Sequence, residues 1–212
     1  MVGSTRDVRK RCLVTDMTPA YYDVQSDTYD DSRGGVERAR VAATAITELV
    51  AGTGRCLDIA GGTGIVTHQL AERGWSVAVL DASIGMLRQA SVRLPGRAVQ
   101  ASADRLPVAD DAVDLVTIIW MLNLVPTEVA DTMLIEAARV LAPRGSLVMT
   151  VDKEKAHSRT AQVASDSDER VSEFLRGHQM TRTGGATFRS PSPWGSATDE
   201  DPVFQLSAFR KS

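Results

Sequence analysis

The sequence predicts an α/β fold in which helices cover both faces of a mostly parallel, doubly wound sheet. From Arg55 onward, short apolar runs alternate with segments of helical period, the pattern of repeated strand-helix-strand units. One run, Asp114 to Trp120, is almost continuously apolar and β-branched, as a strand covered on both faces must be. At 212 residues the chain holds one such domain with appendages, here divided into N-terminal lid helices over 1–50 and a core over 51–212.

The elements follow in order. Arg55 to Ala60 reads as the first strand, and Thr63 to Arg73, with apolar Ile65, Val66 and Leu70, as the helix behind it. Trp75 to Asp81 is the second strand. Ser83 is placed to cap a helix through Val92 whose Met86, Leu87 and Ala90 share a face, ended by Pro95-Gly96. Ala98 to Ala101 is a short third strand, Asp114 to Trp120 the fourth, and Pro126 to Leu141 a helix with proline in its first turn. The turn Pro143-Arg144-Gly145 launches a fifth strand, Ser146 to Val151. Beyond Asp152 the pattern weakens. Asp166 to Arg176 is helical, Thr181 to Ser196 is a loose stretch rich in Gly, Ser, Thr and Pro, and Phe204 to Phe209 alternates as a terminal strand, antiparallel and at an edge.

Composition narrows the function. A net charge of -3 offers no basic stripe, which argues against nucleic acid as a partner and favours small substrates. Cys12 and Cys56 lack metal-ligand spacing, and His68, His157 and His178 form no cluster, so no metal is expected. No apolar stretch approaches the roughly 20 residues that cross a bilayer, and Met1 to Arg11 has no signal-peptide core. The expectation is a cytoplasmic protein with no membrane partner, a monomer or a homodimer.

The first strand ends in Asp58 and runs into Ile59-Ala60-Gly61-Gly62-Thr63-Gly64, which sets a carboxylate and bare backbone N–H groups at the carboxyl end of the sheet, where doubly wound folds bind ligands. A nicotinamide enzyme would use G-x-G-x-x-G, but Gly62-Thr63-Gly64 is followed by Thr67 in place of the third glycine. Asp58 is also an awkward neighbour for a pyrophosphate and a better one for the ammonium of an amino-acid-like cofactor. Asp81, ending the second strand, can accept both hydroxyls of a ribose. An ammonium and a ribose without phosphate describe S-adenosylmethionine; the bland alternative is that each Asp caps a following helix.

The run from Arg55 to Asp152 resembles the methyltransferase-11 family of class I S-adenosylmethionine-dependent methyltransferases. Leu57-Asp58-Ile59-Ala60-Gly61-Gly62-Thr63-Gly64 is similar to the family's V-L-D-x-G-x-G-T-G, with Ala60 at the first glycine. Val79-Leu80-Asp81-Ala82-Ser83-Ile84-Gly85-Met86-Leu87 is similar to G-V-D-x-S-x-x-M-L, Ala103-Asp104-Arg105-Leu106-Pro107-Val108 to A-x-x-L-P-F, and Ala138 to Gly145 contains the counterpart of R-V-L-K-P-G-G. The resemblance implies a Rossmann-like, doubly wound, mostly parallel seven-stranded sheet with an antiparallel edge strand at the C-terminus. It also implies that Asp58 and the backbone of Ala60, Gly61, Gly62 and Gly64 hold the methionine moiety and that Asp81 holds the ribose. Ala82, Met86 and Ile118 would stand near the cofactor, and Ala103 would offer the adenine its N–H. Ser102 replaces the usual Asp that accepts the adenine amino group.

Ala20 to Arg33 is similar to the family's lead-in Y-D-x-x-A-x-x-Y-D-x-x-R, which implies a lid over the cofactor with Tyr22, Tyr29 and Arg33 as contacts. Tyr22 and Tyr29, seven apart, are expected on one side of a single helix, where they could equally be staples. For the acceptor, Trp120, Asn123 and Trp194 are pocket candidates, with Met121, Leu122 and Phe188 nearby. His157, after the fifth strand, is the candidate general base or else a solvated helix residue. The reading is methyl transfer to O or N of a small molecule, an apolar or aromatic secondary metabolite. Its alternatives are C-methylation of a quinone or lipid-like acceptor, and a non-methylating cyclase or regulatory protein that binds the same cofactor.

Overall fold

The computed structural model describes residues 18–152, 165–190 and 201–212. The chain opens with helix α1 (Pro19–Gln25), a single 3-10 turn at Asp31–Arg33, and helix α2 (Gly35–Leu49). Thr18 caps α1 by accepting the N–H of Tyr21, and Pro19 follows at a position whose N–H would be idle. The single lid helix expected from the tyrosine spacing is therefore two short pieces, and the bend between Ser26 and Asp30 brings Tyr22 and Tyr29 together.

The core alternates β1 (Arg55–Ile59), α3 (Ile65–Ala71), β2 (Ser76–Asp81), α4 (Ile84–Arg93), β3 (Ala98–Gln100), β4 (Val113–Ile118), α5 (Thr127–Val140) and β5 (Leu141–Val151). It continues with α6 (Asp168–Arg176), β6 (Met180–Arg189) and β7 (Val203–Lys211). Together they form a seven-stranded sheet in the order β3-β2-β1-β4-β5-β7-β6. β1 pairs in parallel with β2 and β4, and β4 with β5. The C-terminal strand is antiparallel to β5, as expected, but lies one place in from the edge, because β6 pairs with its other side.

The stretch that looked loose in sequence thus contributes an edge strand. It buries only Met180 and Phe188, and the pair Gly184-Gly185 sits where the register shifts, so neither an apolar run nor strict alternation betrays it. β4 ends two residues short of its predicted limit because Trp120 takes a left-handed backbone with φ 58°.

Side-chain alternation along the strands splits the interior into two layers. Leu57, Ile59, Val116 and Ile118 face α5 and α6, where Met133, Leu134, Val171 and Leu175 are buried. Cys56, Val77, Val79 and Leu115 face the other way, onto Ala42, Ile46, Val66 and Leu70 of α2 and α3. Asp58 belongs to the second set, which decides its role.

Candidate functional site

A cleft of about 190 Å³ opens where β1, β2 and β4 end. Ile59, Ala60 and Gly62 form its floor, Asp81 and Ala82 one side, Ala101 to Asp104 another, and Ile119, Trp120 and Met121 the far wall. Pro19, Tyr22 and Tyr29 cover it from the N-terminal segment.

Asp58 does not line this cleft, contrary to the direct ligand contact expected of it. It is 1% exposed and points beneath the turn toward α3. There its carboxylate accepts the hydroxyls of Thr67 at 2.5 Å and of Thr117 at 2.7 Å. Thr117 is its register partner on β4. Burial pushes its pKa up to about 6, although both hydroxyls favour the charged form. Thr67, which in sequence looked like a lost glycine, is half of this brace. Gly61 is required by the same packing: a Cβ there would stand 2.6 Å from Asp58 Oδ2 and 2.6 Å from Val79 Cγ2. Gly61 and Gly64 thus serve the turn itself, Gly64 opening α3 against Ala90 and Leu94, and neither is among the cleft-lining residues. Ala60 is, in a left-handed conformation (φ 55°) that an L-residue adopts at a cost of roughly 1 kcal/mol.

Asp81 lines the cleft. Its Oδ2 accepts the N–H of Gly62 and its Oδ1 that of Ser83, each at 2.8 Å. Burial raises its pKa while these two N–H groups act against the rise. Among the described residues no arginine or lysine pairs with it, so this part of the cleft presents a carboxylate that suits a ligand that is positively charged and rich in hydroxyls. Ser83 caps α4 as expected, accepting the N–H of Met86, and this directs Met86 into the cleft. Ser102 and Ala103 line the opposite side. Beside them Asp104, passed over in the sequence, brings an exposed carboxylate to the lining.

The N-terminal segment is latched by two aspartates that the tyrosines had overshadowed. Asp23 Oδ1 accepts the hydroxyl of Ser83 at 2.6 Å and the N–H of Gly85 at 2.8 Å. The approach is close enough that a Cβ on Gly85 would meet the Cα of Asp23 at 2.7 Å. Asp30 accepts the Thr63 hydroxyl on one oxygen and pairs with Arg93 on the other, while Arg93 also donates to the Thr63 carbonyl. The signal was present in the repeated Tyr-Asp pairs at 22–23 and 29–30. Tyr22 and Tyr29 meet edge to face with centroids 6.0 Å apart, and burial raises the pKa of both. Arg33 is exposed, lies over Tyr29 at 5.6 Å, and is not among the lining residues, which corrects its expected contact.

On the acceptor side Trp120 joins the wall, packed edge to face on Phe204 with Phe188 beyond. Ile118 is fully buried among α5 residues; strand alternation gives its expected place to Ile119. Leu122 is likewise core. Asn123 sits on the 3-10 turn Leu122–Leu124 outside the lining, its Oδ1 buried without a partner among the described residues. His157 and Trp194 lie outside the described residues. His68 is a surface residue near Glu72, and His178 stacks on Phe174. Among the described residues no group of His, Cys, Asp and Glu could hold a metal, and no helix is long and apolar enough to cross a membrane.

Residues 57–149 match a protein family described as a methyltransferase domain. The demethylmenaquinone methyltransferase of Clavibacter sepedonicus is 38% identical over 141 residues, 61% of this chain and 56% of that protein, so the chain spans about half the length of the curated relatives it matches. Among solved structures, the CcbJ methyltransferase from Streptomyces caelestis superposes with a TM-score of 0.68 at 14% identity, over 91% of this chain and 98% of that one. The [4+2]-cyclase SpnF superposes with a TM-score of 0.67 at 19% identity, over 91% and 94%. Residues 57–149 thus match a methyltransferase-domain family in sequence, and the chain shares the fold of solved methyltransferases.

Proposed function

We propose that the protein transfers a methyl group from S-adenosylmethionine to a small, planar, apolar acceptor. The observation that carries this reading is Asp81, fixed by two backbone N–H groups at the carboxyl ends of the strands and left without a cation among the described residues. Asp81 would hold the ribose hydroxyls, the backbone at Ala60 and Gly62 the methionine end, and Ala82, Met86 and Ala101 to Ala103 the adenine. The bound sulfonium supplies an electrophilic methyl group. What remains for the chain is alignment and exclusion of water. Tyr22 and Tyr29 cover the reacting end, and Trp120, Met121, Leu124 and Met133 offer an apolar wall against which a flat acceptor can lie.

An acceptor carbon on a quinone-type ring is the finer reading, supported by the relatives named as demethylmenaquinone methyltransferases and by this apolar wall. Calorimetric titration with S-adenosylhomocysteine tests the cofactor site. Asp81→Asn keeps the shape but loses the charge and should weaken binding by about 1.5 to 3 kcal/mol, the range for a hydrogen bond to a charged group; unchanged affinity would refute the site. Incubation with labelled donor and a panel of phenols, amines and quinols then separates a methyltransferase, which labels an acceptor, from a protein that only binds the donor.

A further inference from the structure

Just past the ends of β1 and β4 the backbone takes a course that side chains disfavour. Ala60 and Trp120 both line the cleft, and both are left-handed, with φ 55° and 58°. For a residue as bulky as tryptophan that conformation is an outlier, and it persists only where the surroundings over-determine it.

The contacts of the Trp120 ring do not account for it. The ring lies under the Arg38 guanidinium at 3.6 Å and meets Phe204 edge to face at 5.6 Å, which fixes the plane of the indole but not the turn of the main chain. The indole N–H has no partner among the described residues. What reaches the backbone is Thr150. Its Oγ1 accepts the Trp120 N–H at 2.7 Å, the short end of the range for such a donor. The ladder between β4 and β5 ends with Ile118 opposite Met149, so this N–H has left the ladder and finds a side chain as its acceptor. Thr150 is 2% exposed, on a strand enclosed between β4 and β7, and β-branching stiffens its χ1. A hydroxyl held so firmly can select one backbone state of its neighbour.

We propose that Thr150 is a positioning residue: through the Trp120 N–H it holds the left-handed turn that presents the indole as the acceptor-side wall, and so sets the affinity for flat apolar acceptors. The proposal rests on the reading of Trp120 as part of that wall. Without the hydroxyl the N–H loses its acceptor, and the backbone relaxes toward an ordinary region and carries the ring away from Phe204. Asp81 and Gly62 take no part in these steps, so the cofactor side keeps its shape.

Thr150→Val preserves the outline and removes the acceptor, whereas Thr150→Ser preserves the acceptor and loses a methyl group. Calorimetry with 2-naphthol on protein saturated with S-adenosylhomocysteine should find the valine variant weaker by about 10-fold and the serine variant close to wild type. All three should bind S-adenosylhomocysteine alike. Near-ultraviolet circular dichroism of the ligand-free protein gives a second readout. Thr150→Val should alter the indole bands, and should leave them unchanged once Trp120→Ala is in place, because the effect passes through that ring. If Thr150→Val fails to fold, Thr150→Cys, whose thiol is a weak acceptor, takes its place. If S-adenosylhomocysteine does not bind the wild type, the cofactor reading falls, and the 2-naphthol ratio on ligand-free protein still decides the role of Thr150. If 2-naphthol does not bind the wild type, the wall reading and the proposal fall together. Equal 2-naphthol affinity in wild type and Thr150→Val, or an equal loss for both ligands, would overturn the proposal and leave Thr150 as a filler between β4 and β7.

Discussion

Asp58 holds its proton to about pH 6, where an ordinary aspartyl group releases it near 4. The folded protein therefore binds more protons than the unfolded chain between those values, and stability falls as pH rises through the window. Above it a constant penalty remains, of the order of 3 kcal/mol for a rise of about two units. Asp58→Asn removes the titration and can still bond to Thr67 and Thr117. Urea unfolding should find it about 1 to 3 kcal/mol more stable than the wild type at pH 7.5 and equal to it at pH 4, where the wild-type carboxyl is also neutral. A gap that stays constant with pH would refute the assignment. The sequence displayed Asp58, Gly61 and Thr67 in one motif but not their division of labour. Alternation puts Asp58 on the side of Cys56, facing α3, and the motif alone does not say which face of the sheet carries the ligand.

At the scale of elements, the N-terminal segment is held by side chains from α4 and the glycine turn rather than by an apolar face of its own, since α1 buries no residue completely. Asp30, 14% exposed and paired with the partly buried Arg93, is the principal fastening. Asp30→Asn keeps one acceptor and loses the ion pair. The covering segment should open more often, so that S-adenosylhomocysteine leaves about 10-fold faster in stopped-flow displacement, in line with the loss of one charge-assisted hydrogen bond; an unaltered release rate would mean that the segment is not a gate. The sequence predicted a lid from tyrosine spacing and erred in drawing it as one helix, because a seven-residue interval fits two helical turns as well as a chain reversal. Its aspartates repeat beside the tyrosines, but their meaning lies in Ser83, Gly85, Thr63 and Arg93, more than 30 residues away along the chain.

For the molecule as a whole, the parallel half was legible because strands covered on both faces need largely apolar, β-branched runs, as in Leu115 to Ile119. The antiparallel half was legible only in part: Phe204 to Phe209 shows its alternation, whereas β6, exposed along most of its length, has little reason to. β7 joins β5 to β6 and buries Phe204, Leu206, Ala208 and Phe209. Deleting residues 203–212 removes the strand that, among the described residues, alone pairs with β6, and with Phe204, Leu206 and Phe209 it removes three side chains each worth up to about 3 kcal/mol of burial, a sum comparable with the usual net stability of a domain. The truncated chain should show no cooperative thermal transition by circular dichroism; a wild-type melt would contradict this account of the sheet.

The same arrangement bears on how copies of the molecule treat one another. One margin of the sheet, β3, is three residues long, too short to template a foreign strand. The other, β6, carries Arg182 and Arg189 and is kinked where its register shifts beside Gly184. The long apolar strand that would seed fibres if it lay at the border is instead enclosed between two neighbours. Crowding these molecules together therefore offers no ready seam along which their sheets could fuse.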